Sequence, residues 1–417
     1  MGHWAVDTLV SVYPFTRQPD GDEVIIGHLD TAVFLVLPSD ALELLDFLAV
    51  GKTVGQAQSL YQEKYSEVPD MNDFLDTLER KGFVRFLAVG ESDQTAVAIK
   101  TSPVILRPTP TKPVRYHFAK FPQSLARRLL SRPILVSCGV LIGLALSAIA
   151  VEPSVMPGWS AYFFNKNLTL MGLILMMVSL IKVFLHEMAH LVAARAVGVS
   201  SRLGISNRMW VLVAETDMTG IWGVPRKQRY LPLLAGPLLD AVCASALTLI
   251  LFAYSRGWLV LHLVVFQLSR AMLLTYLLGL LWQCYFFVRT DFYYVVANFF
   301  NCKSLMKDTE IFLHNQMARI IPSLRKVDQS HIGALEMQVI RWYALVWLIG
   351  RAAAVASLIF IGIPLIWNYY LAIFAASRNG YQANHYAFID ALIMAVMLIP
   401  QIVGFWLWIL NSRTIRR

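Results

Sequence analysis

Residues 186 to 190 read HEMAH and place two histidines four positions apart, with a glutamate directly after the first. On an α-helix His186 and His190 share a face, so both imidazoles can bind one metal ion while Glu187 projects beside them. Zinc takes nitrogen ligands of this kind together with a third protein ligand and keeps one position open for water. A neighbouring carboxylate can accept a proton from that water as it attacks a carbonyl group. The motif therefore predicts a Zn2+ site in which Glu187 is the general base.

The segment that carries this motif, residues 183 to 199, is apolar enough to lie in a bilayer. Ionisable groups at that depth are costly and usually mark a partner, a pathway or a site. The alternative to a metal is a pair of core histidines satisfied by hydrogen bonds, with Glu187 paired to Lys182 or to an arginine. We favour the metal because burying three such groups without one costs free energy.

The third metal ligand has to come from elsewhere in the chain. The side chains that can supply it are Asp291, Asp240, Asp217, Glu215 and His262. Topology favours Asp291, because the fourth predicted span ends beside it on the same side of the membrane as HEMAH. His262 should lie toward the far side, whereas Asp217 and Glu215 fall in a loop. The alternative role for Asp291 is that of a charge at a helix end.

The composition is that of a polytopic membrane protein. Of the 417 residues, 57% are hydrophobic and only 15% are charged, which is far from an average soluble protein. The first 130 residues contain no apolar run of spanning length and lack the layout of a signal peptide, so a soluble N-terminal domain should precede the membrane part. The four cysteines are scattered without CxxC spacing, which argues against a disulfide framework or a thiolate zinc site.

Hydropathy predicts a mainly α-helical membrane bundle, since each crossing needs about 20 apolar residues. The six predicted spans are residues 133–151, 169–192, 231–254, 259–288, 339–367 and 387–411. Lysine and arginine accumulate in alternate loops and in the C-terminal tail, whereas the other loops hold one each, Lys166, Arg256 and Arg378. Because basic loops stay in the cytosol, both termini, HEMAH and Asp291 should lie at the cytosolic side. The net charge of +9 is then mostly an orientation signal.

The N-terminal domain, residues 1–90, begins with strand-like stretches at 8–13, 24–28 and 32–37, followed by three helical segments and a final strand at 83–86. This order predicts a small α+β winged-helix-like domain. The helices carry many acidic residues that would repel phosphates, so we expect peptide binding and no nucleic-acid partner. The alternative is a structural cap on the membrane domain. Residues 91–132, proline-punctuated and then basic and amphipathic, predict a linker with an interfacial helix on the lipid bilayer.

Three features together resemble the site-2 protease family of intramembrane zinc metalloproteases, in particular its bacterial peptide zinc metalloprotease branch. HEMAHLVAARAVGV is similar to the family's HExxH helix, and LAGP at 234–237 resembles the motif that opens its next span. Asp291 falls where the family's Asp-Gly motif supplies the third zinc ligand. Here Asp291 is followed by Phe292, and Gln283 and Phe286 lie near the Asn and Pro that the family usually has.

The resemblance implies that residues 133–417 form a membrane zinc metalloendopeptidase of a bacterial inner membrane. Its substrate would be a peptide or a membrane-bound precursor, hydrolysed near the cytosolic face. Residues 33–87 resemble PqqD-like domains, which implies that a peptide adds as a strand beside the sheet and that peptide-export or modification partners exist. Segment 207–218 alternates enough to be a membrane-dipping strand that extends the substrate. Its alternative is an ordinary loop hairpin.

The departure at Phe292 leaves a second function open. Glycine permits backbone shapes that phenylalanine does not, so substrate alignment there would differ. The alternative function is a catalytically inactive pseudoprotease acting as a peptide-binding or export accessory protein. A transporter is a third alternative, suggested by Arg270, Arg351 and Lys182 within spans, although these side chains pair more simply with carboxylates, water or backbone carbonyls.

Overall fold

The structure is a computed structural model that describes residues 4–20, 23–28, 33–87, 121–164, 167–302, 304–321, 323–330, 332–379 and 385–414. The chain divides into two compact units, residues 1–117 with 218–229 and residues 118–217 with 230–417. Residues 91–120 of the predicted linker, with Pro103, Pro108, Pro110 and Pro113, lie outside the described residues. Its basic end is described and forms the short helix given below.

The first unit is built from five strands and three helices. In chain order they are β1 (Leu9–Val12), β2 (Thr16–Asp20), β3 (Glu23–His28), β4 (Val33–Pro38), α1 (Ser39–Ala49), α2 (Val54–Tyr65), α3 (Met71–Arg80) and β5 (Val84–Leu87). Strands β2, β3 and β4 form an antiparallel sheet in that order, and β1 pairs antiparallel with β5. The predicted order of three helices and a final strand is present, and β2 is an additional strand. The winged-helix class stays a prediction.

The helices of this unit have local signals for where they begin. Thr53 and Gln56 form a capping box at the start of α2. Asp70 accepts hydrogen bonds from the backbone N–H groups of Asn72 and Asp73 at the start of α3. The apolar faces of the helices then close one core with the sheet, and its deeply buried large side chains include Ile26, Leu44, Leu45, Leu48, Leu75, Leu78 and Phe83.

A segment far along the chain completes the first unit. Residues Thr219–Gly223 form a 3-10 turn that contacts β2, β3 and β4. Arg229 is 1% exposed and donates to the carbonyls of Val224 and Trp222 and to Asp20, whose Oδ2 lies 3.3 Å from Nη1. A buried guanidinium is tolerated only when it is paired and hydrogen-bonded, so Arg229 fixes residues 218–229 to the sheet.

We expect Asp20→Ala to destabilise the first unit by about 3–5 kcal/mol, because it leaves Arg229 buried without its counter-charge. The amides of β2 and β3 should then exchange with deuterated water faster than in the wild type. Asp46→Ala is the matched control, since it breaks the exposed Arg17–Asp46 pair, and exposed pairs contribute less than about 1 kcal/mol. Equal exchange rates in the two variants would contradict the role of Asp20.

The second unit is mainly helical. It begins with α4 (Gln123–Leu129), α5 (Arg132–Val151) and α6 (Leu168–Ala196), followed by β6 (Arg202–Arg208) and β7 (Val211–Asp217). The later helices are α7 (Arg226–Ser255), α8 (Leu263–Trp282), α9 (Asp291–Phe300), α10 (Leu305–Met317), α11 (Ala334–Ser357), α12 (Ile363–Asn379) and α13 (His385–Thr414). Within the described residues six helical stretches are long and apolar enough to cross a membrane. The chain is therefore a multi-pass membrane protein of mainly α-helical structure.

Two of these helices differ from the predicted spans. The fourth span was predicted to reach residue 288, but α8 ends at Trp282 and the chain then turns before α9. The fifth is longer than predicted, because α11 and α12 are joined by one π-helical turn into a stretch of 45 residues, Ala334–Arg378. At 1.5 Å per residue this stretch is about twice the 30 Å thickness of a hydrocarbon core.

Segment 207–218 lies in a β-hairpin. Strands β6 and β7 pair from Arg202 opposite Asp217 to Arg208 opposite Val211. At its tip the ring of Trp210 lies 5.9 Å from that of Trp408 on α13. A side chain at Gly404 would come within 2.4 Å of the Trp210 carbonyl oxygen, so glycine lets the hairpin tip touch the helix backbone. The hairpin thus packs on a helix that is apolar enough to cross a membrane.

The basic end of the linker is held on the second unit. Helix α4 lies beside the last turn of α6, where Arg127 Nε donates to the Ala196 carbonyl at 3.1 Å and Arg195 Nε donates to the Phe121 carbonyl at 3.0 Å. Cationic side chains stabilise the partial negative charge at a helix C-terminus. These contacts fix where α6, the helix of the HEMAH motif, ends.

Candidate metal centre

Helix α6 carries the predicted catalytic motif in its second half. His186 and His190 lie one helical turn apart and are 8% and 2% exposed. Their Nε2 atoms are 3.2 Å from each other, so both imidazoles point to one place. Glu187, between them in sequence, is also buried. The helical register expected from the HExxH spacing is therefore present in the structure.

Asp291 is brought to the same place by the turn that follows α8. It is the first residue of α9, and its Oδ2 lies 3.0 Å from His186 Nε2 and 3.2 Å from His190 Nε2. Gln283 fixes this turn, because its side-chain oxygen accepts from the Asp291 backbone N–H at 3.1 Å and its carbonyl accepts from the Thr290 hydroxyl at 2.6 Å. His186, His190 and Asp291 form a group that could hold a metal ion.

The other ligand candidates lie in different settings. Asp217 pairs with Arg202, and Glu215 pairs with Arg208, both within the hairpin. His262 caps the opposite end of α8 by accepting from the Val264 N–H.

Asp240 contacts His186 at the other ring nitrogen, Nδ1, and not at Nε2. Its Oδ2 lies 3.1 Å from Nδ1 of His186, the ring nitrogen that faces away from Asp291. It also lies 3.3 Å from Nζ of Lys182, so Lys182 pairs with Asp240 and not with Glu187.

The donor set of this group fits a cation. His190 Nδ1 lies 2.7 Å from the Pro232 carbonyl, which can only accept, so Nδ1 carries the proton and Nε2 of a neutral ring presents a lone pair. The same reasoning applies to His186, whose Nδ1 faces the carboxylate of Asp240. Two lone pairs and the Asp291 carboxylate then converge. Such a set repels itself unless a proton or a metal ion lies between its members.

The spacing of these atoms fits zinc. The three separations are 3.0, 3.2 and 3.2 Å. Tetrahedral zinc with bonds of about 2.0 Å has ligand atoms about 3.3 Å apart. Two imidazole nitrogens and one carboxylate oxygen are also a ligand set that catalytic zinc sites use, with the fourth position left for water. The residues present therefore fit the metal that the sequence predicts.

Gly236 leaves room for both imidazoles. It lies on α7, and a Cβ atom there would stand 2.4 Å from Nε2 of His186 and 2.4 Å from Nε2 of His190. No side chain fits at that distance without moving the rings. This contact gives a physical reason for the glycine of the LAGP motif.

Gly236→Ala should therefore displace the two imidazoles and lower zinc affinity about tenfold or more, as loss of ligand orientation does elsewhere. The measurement is a competition titration of purified protein against a zinc chelator. Gly139→Ala on α5 is the control, because no atom lies within 4 Å of a Cβ at that position. Wild-type zinc affinity in the Gly236→Ala variant would argue against a metal between these rings.

The hairpin reaches the glutamate of the motif. The Thr216 hydroxyl on β7 lies 2.8 Å from Glu187 Oε2 and 3.0 Å from the Glu187 carbonyl oxygen. A hydroxyl that donates to Oε2 restricts the rotamers of the carboxylate. Thr216 therefore holds the group that the sequence predicts to be the general base.

Phe292, where the resembling family has glycine, adopts ordinary helical geometry. It is the second residue of α9, and it is not among the described residues with positive φ. Glycine's freedom is required only at such unusual backbone angles or at a close approach. The backbone angles at Phe292 therefore do not require glycine in this chain.

Sequence reasoning missed two groups of this site. Thr216 lies in a strand of alternating residues where nothing distinguishes it from its neighbours, and the Pro232 contact uses a backbone carbonyl that has no sequence signature. Asp240 was recognised as a candidate ligand, but its contact with Nδ1 of His186 needed the structure. No known family model, curated protein or solved structure matches the chain.

Proposed function

We propose that the protein is an intramembrane zinc metalloendopeptidase similar to the site-2 protease family. The observation that carries this proposal is the convergence of His186 Nε2, His190 Nε2 and Asp291 Oδ2 in the second half of an apolar helix, with Glu187 beside them. Three converging metal-ligating groups, of which the two histidines are buried, and a carboxylate outside the ligand set are the parts that peptide hydrolysis by zinc needs.

Each part has one role in the proposed reaction. His186, His190 and Asp291 would hold the ion, which when bound polarises a substrate carbonyl and makes water a stronger acid. The Glu187 carboxylate accepts the proton of the attacking water and later delivers it to the leaving amine. Thr216 keeps Oε2 of Glu187 in place during both transfers. The apolar wall of the helices limits the access of bulk water and strengthens these electrostatic interactions.

The position of the hairpin favours the proposal that the substrate is a peptide. Its strand β7 carries Thr216 next to Glu187, and its tip touches α13 at Gly404. Substrate peptides commonly bind proteases and adaptor domains as an added strand. We propose that this hairpin extends the scissile segment of a peptide or membrane-bound precursor beside the metal. The distribution of basic residues supports a cytosolic position for both termini and for the site. The resemblance to the bacterial branch of the family supports a location in a bacterial inner membrane.

The competing function is a pseudoprotease that binds peptides for export without cleaving them. Its support was the Asp291–Phe292 departure, and the helical backbone at Phe292 weakens that support. The presence of Glu187, with its own hydrogen-bond partner, favours the enzyme. The two functions differ in whether Glu187 is needed for turnover.

Purified protein should hold about one zinc ion per chain. Both a His186→Ala, His190→Ala variant and Asp291→Ala should lose it, as measured by elemental analysis.

Glu187→Gln should keep zinc but lower turnover by a factor of roughly 100 to 10,000, because it removes the base while preserving the shape. Turnover is measured by mass spectrometry on protein in liposomes, supplied with a library of membrane-anchored peptides.

Glu63→Gln serves as the control, since this exposed glutamate belongs to α2 in the other unit. Zinc retention in the double histidine variant would remove the proposed metal site. Unchanged cleavage by Glu187→Gln would remove its role as base. Zinc binding without any cleavage by the wild type across the library would favour the pseudoprotease.

We further propose that the N-terminal domain presents the substrate peptide, as PqqD-like domains do. Its outermost strands support this mode, because β2 and β4 are the edges of a three-stranded sheet and an extended peptide can add to such an edge. Helices α2 and α3 and the loop between them expose Glu63, Glu67, Asp70 and Asp73, which disfavours contact with phosphates. Two basic residues of this domain are engaged in ion pairs, Lys64 with Glu43 and Arg17 with Asp46.

The full-length protein in detergent should bind duplex DNA weakly at physiological salt and should bind extended peptides through the N-terminal sheet. Fluorescence anisotropy with labelled DNA and with the labelled peptide library measures both. Val36→Pro removes a backbone N–H from β4 and should weaken peptide binding, whereas the same change at exposed Val68, outside any strand, should not. Tight, salt-sensitive binding of DNA would contradict the proposal that the N-terminal domain binds peptides and not nucleic acid.

A further inference from the structure

We propose that Asp240 is a positioning residue that fixes the imidazole of His186 for metal binding, with Lys182 balancing its charge. This inference rests on the proposed zinc function and assigns it two residues outside the ligand set. It follows from the contacts of Asp240, from the way Lys182 is accommodated, and from the pattern of residues along one face of α7.

Asp240 is buried at the metal-distal side of His186. It is 1% exposed, and its Oδ2 is shared between His186 Nδ1 at 3.1 Å and Lys182 Nζ at 3.3 Å. A carboxylate so fully removed from water is costly unless charged or hydrogen-bonding partners compensate it. The ammonium group of Lys182 and the imidazole of His186 are the partners that compensate this carboxylate.

Lys182 is accommodated by its neighbours. It lies one turn before His186 on α6, and its Nζ stands 5.5 Å from the centroid of the Tyr276 ring on α8. A Cβ at Gly279, three residues further along α8, would lie 1.8 Å from Nζ. Glycine at 279 therefore leaves the volume that the ammonium group occupies. Because Gly279 leaves space for the ammonium group of Lys182, we infer that the pairing of Lys182 with Asp240 is a specific feature of this helix packing.

Helix α7 orients both histidines from a single face. Positions 232, 236 and 240 follow one another at intervals of four residues and so line one side of the helix. The Pro232 carbonyl faces His190 Nδ1, Gly236 leaves room for the two rings, and Asp240 faces His186 Nδ1. Each imidazole thus has its Nδ1 proton engaged by α7.

This arrangement decides which ring nitrogen is available. A neutral imidazole carries its proton on either Nδ1 or Nε2, and only the unprotonated nitrogen can bind a metal. A carboxylate that accepts from Nδ1 leaves Nε2 free, fixes the orientation of the ring and increases its basicity as a ligand. Asp240 therefore does for His186 what a backbone carbonyl does for His190, with the added effect of its charge.

The test compares zinc affinity and the visible spectrum of the Co2+-substituted protein among three variants. Asp240→Ala should lower zinc affinity by about 10- to 100-fold and change the cobalt absorption bands, as removal of such partners does elsewhere. Asp240→Asn keeps an oxygen that can accept from Nδ1 and should restore part of the loss. The Asp240→Ala, Lys182→Met variant avoids leaving a buried lysine unpaired and should lose affinity like Asp240→Ala.

Thr248→Val is the matched control. Thr248 is a buried polar residue of the same helix, and its hydroxyl donates to the Ala244 carbonyl away from the site. Its zinc affinity and cobalt spectrum should equal those of the wild type. Size-exclusion chromatography and circular dichroism identify the folded variants. If neither alanine variant folds, the near-isosteric Asp240→Asn decides, because a purely structural Asp240 predicts no change in its cobalt spectrum.

The outcomes separate this inference from the proposed function. If the His186→Ala, His190→Ala variant retains zinc, the metal site itself fails. If the double histidine variant loses zinc while every folded Asp240 variant binds zinc within about twofold of the wild type and keeps its cobalt spectrum, only the positioning role fails. The threshold follows because removal of such a partner usually lowers metal affinity at least tenfold. Loss of affinity and a changed spectrum in the folded Asp240 variants, with Thr248→Val unaffected, support it.

Discussion

The convergence of His186, His190 and Asp291 is the constraint on which the site depends. Their three electron-rich atoms lie 3.0 to 3.2 Å apart where little water can screen them. In a medium of low dielectric constant such groups repel one another strongly unless a cation compensates them. Helix α7 orients the two imidazoles, because the Nδ1 atom of each ring faces a hydrogen-bond acceptor on that helix.

Helix α7 combines close packing with orientation. Gly236 allows the helix to approach the two rings within the distance that a methyl group would occupy, and Pro232 and Asp240 flank it at one turn on either side. A rigid helix places these three groups more reproducibly than a loop would. The geometry of the ligands therefore depends on helix packing as much as on the motif that carries them.

The hairpin and the turn before α9 supply the parts that helices alone cannot. Thr216 reaches Glu187 from β7, and Gln283 uses both its side chain and its carbonyl to shape the turn that presents Asp291. Both segments lie outside the long helices, the hairpin between α6 and α7 and the turn between α8 and the short helix α9, where local backbone geometry is free to vary.

The sequence by itself determined the number of apolar spans, the three helices and final strand of the N-terminal domain and the shared helix face of His186 and His190, because these follow from local periodicity and spacing, but it did not predict strand β2. It narrowed the third partner of the histidines to five side chains, and membrane topology then favoured Asp291. Only the tertiary structure decided that α8 ends at Trp282, that Asp240 meets Nδ1 while Asp291 meets Nε2, and that Thr216 meets Glu187. These contacts join residues 29 to 105 positions apart. Distances across such separations are set by how helices pack, which no local pattern encodes.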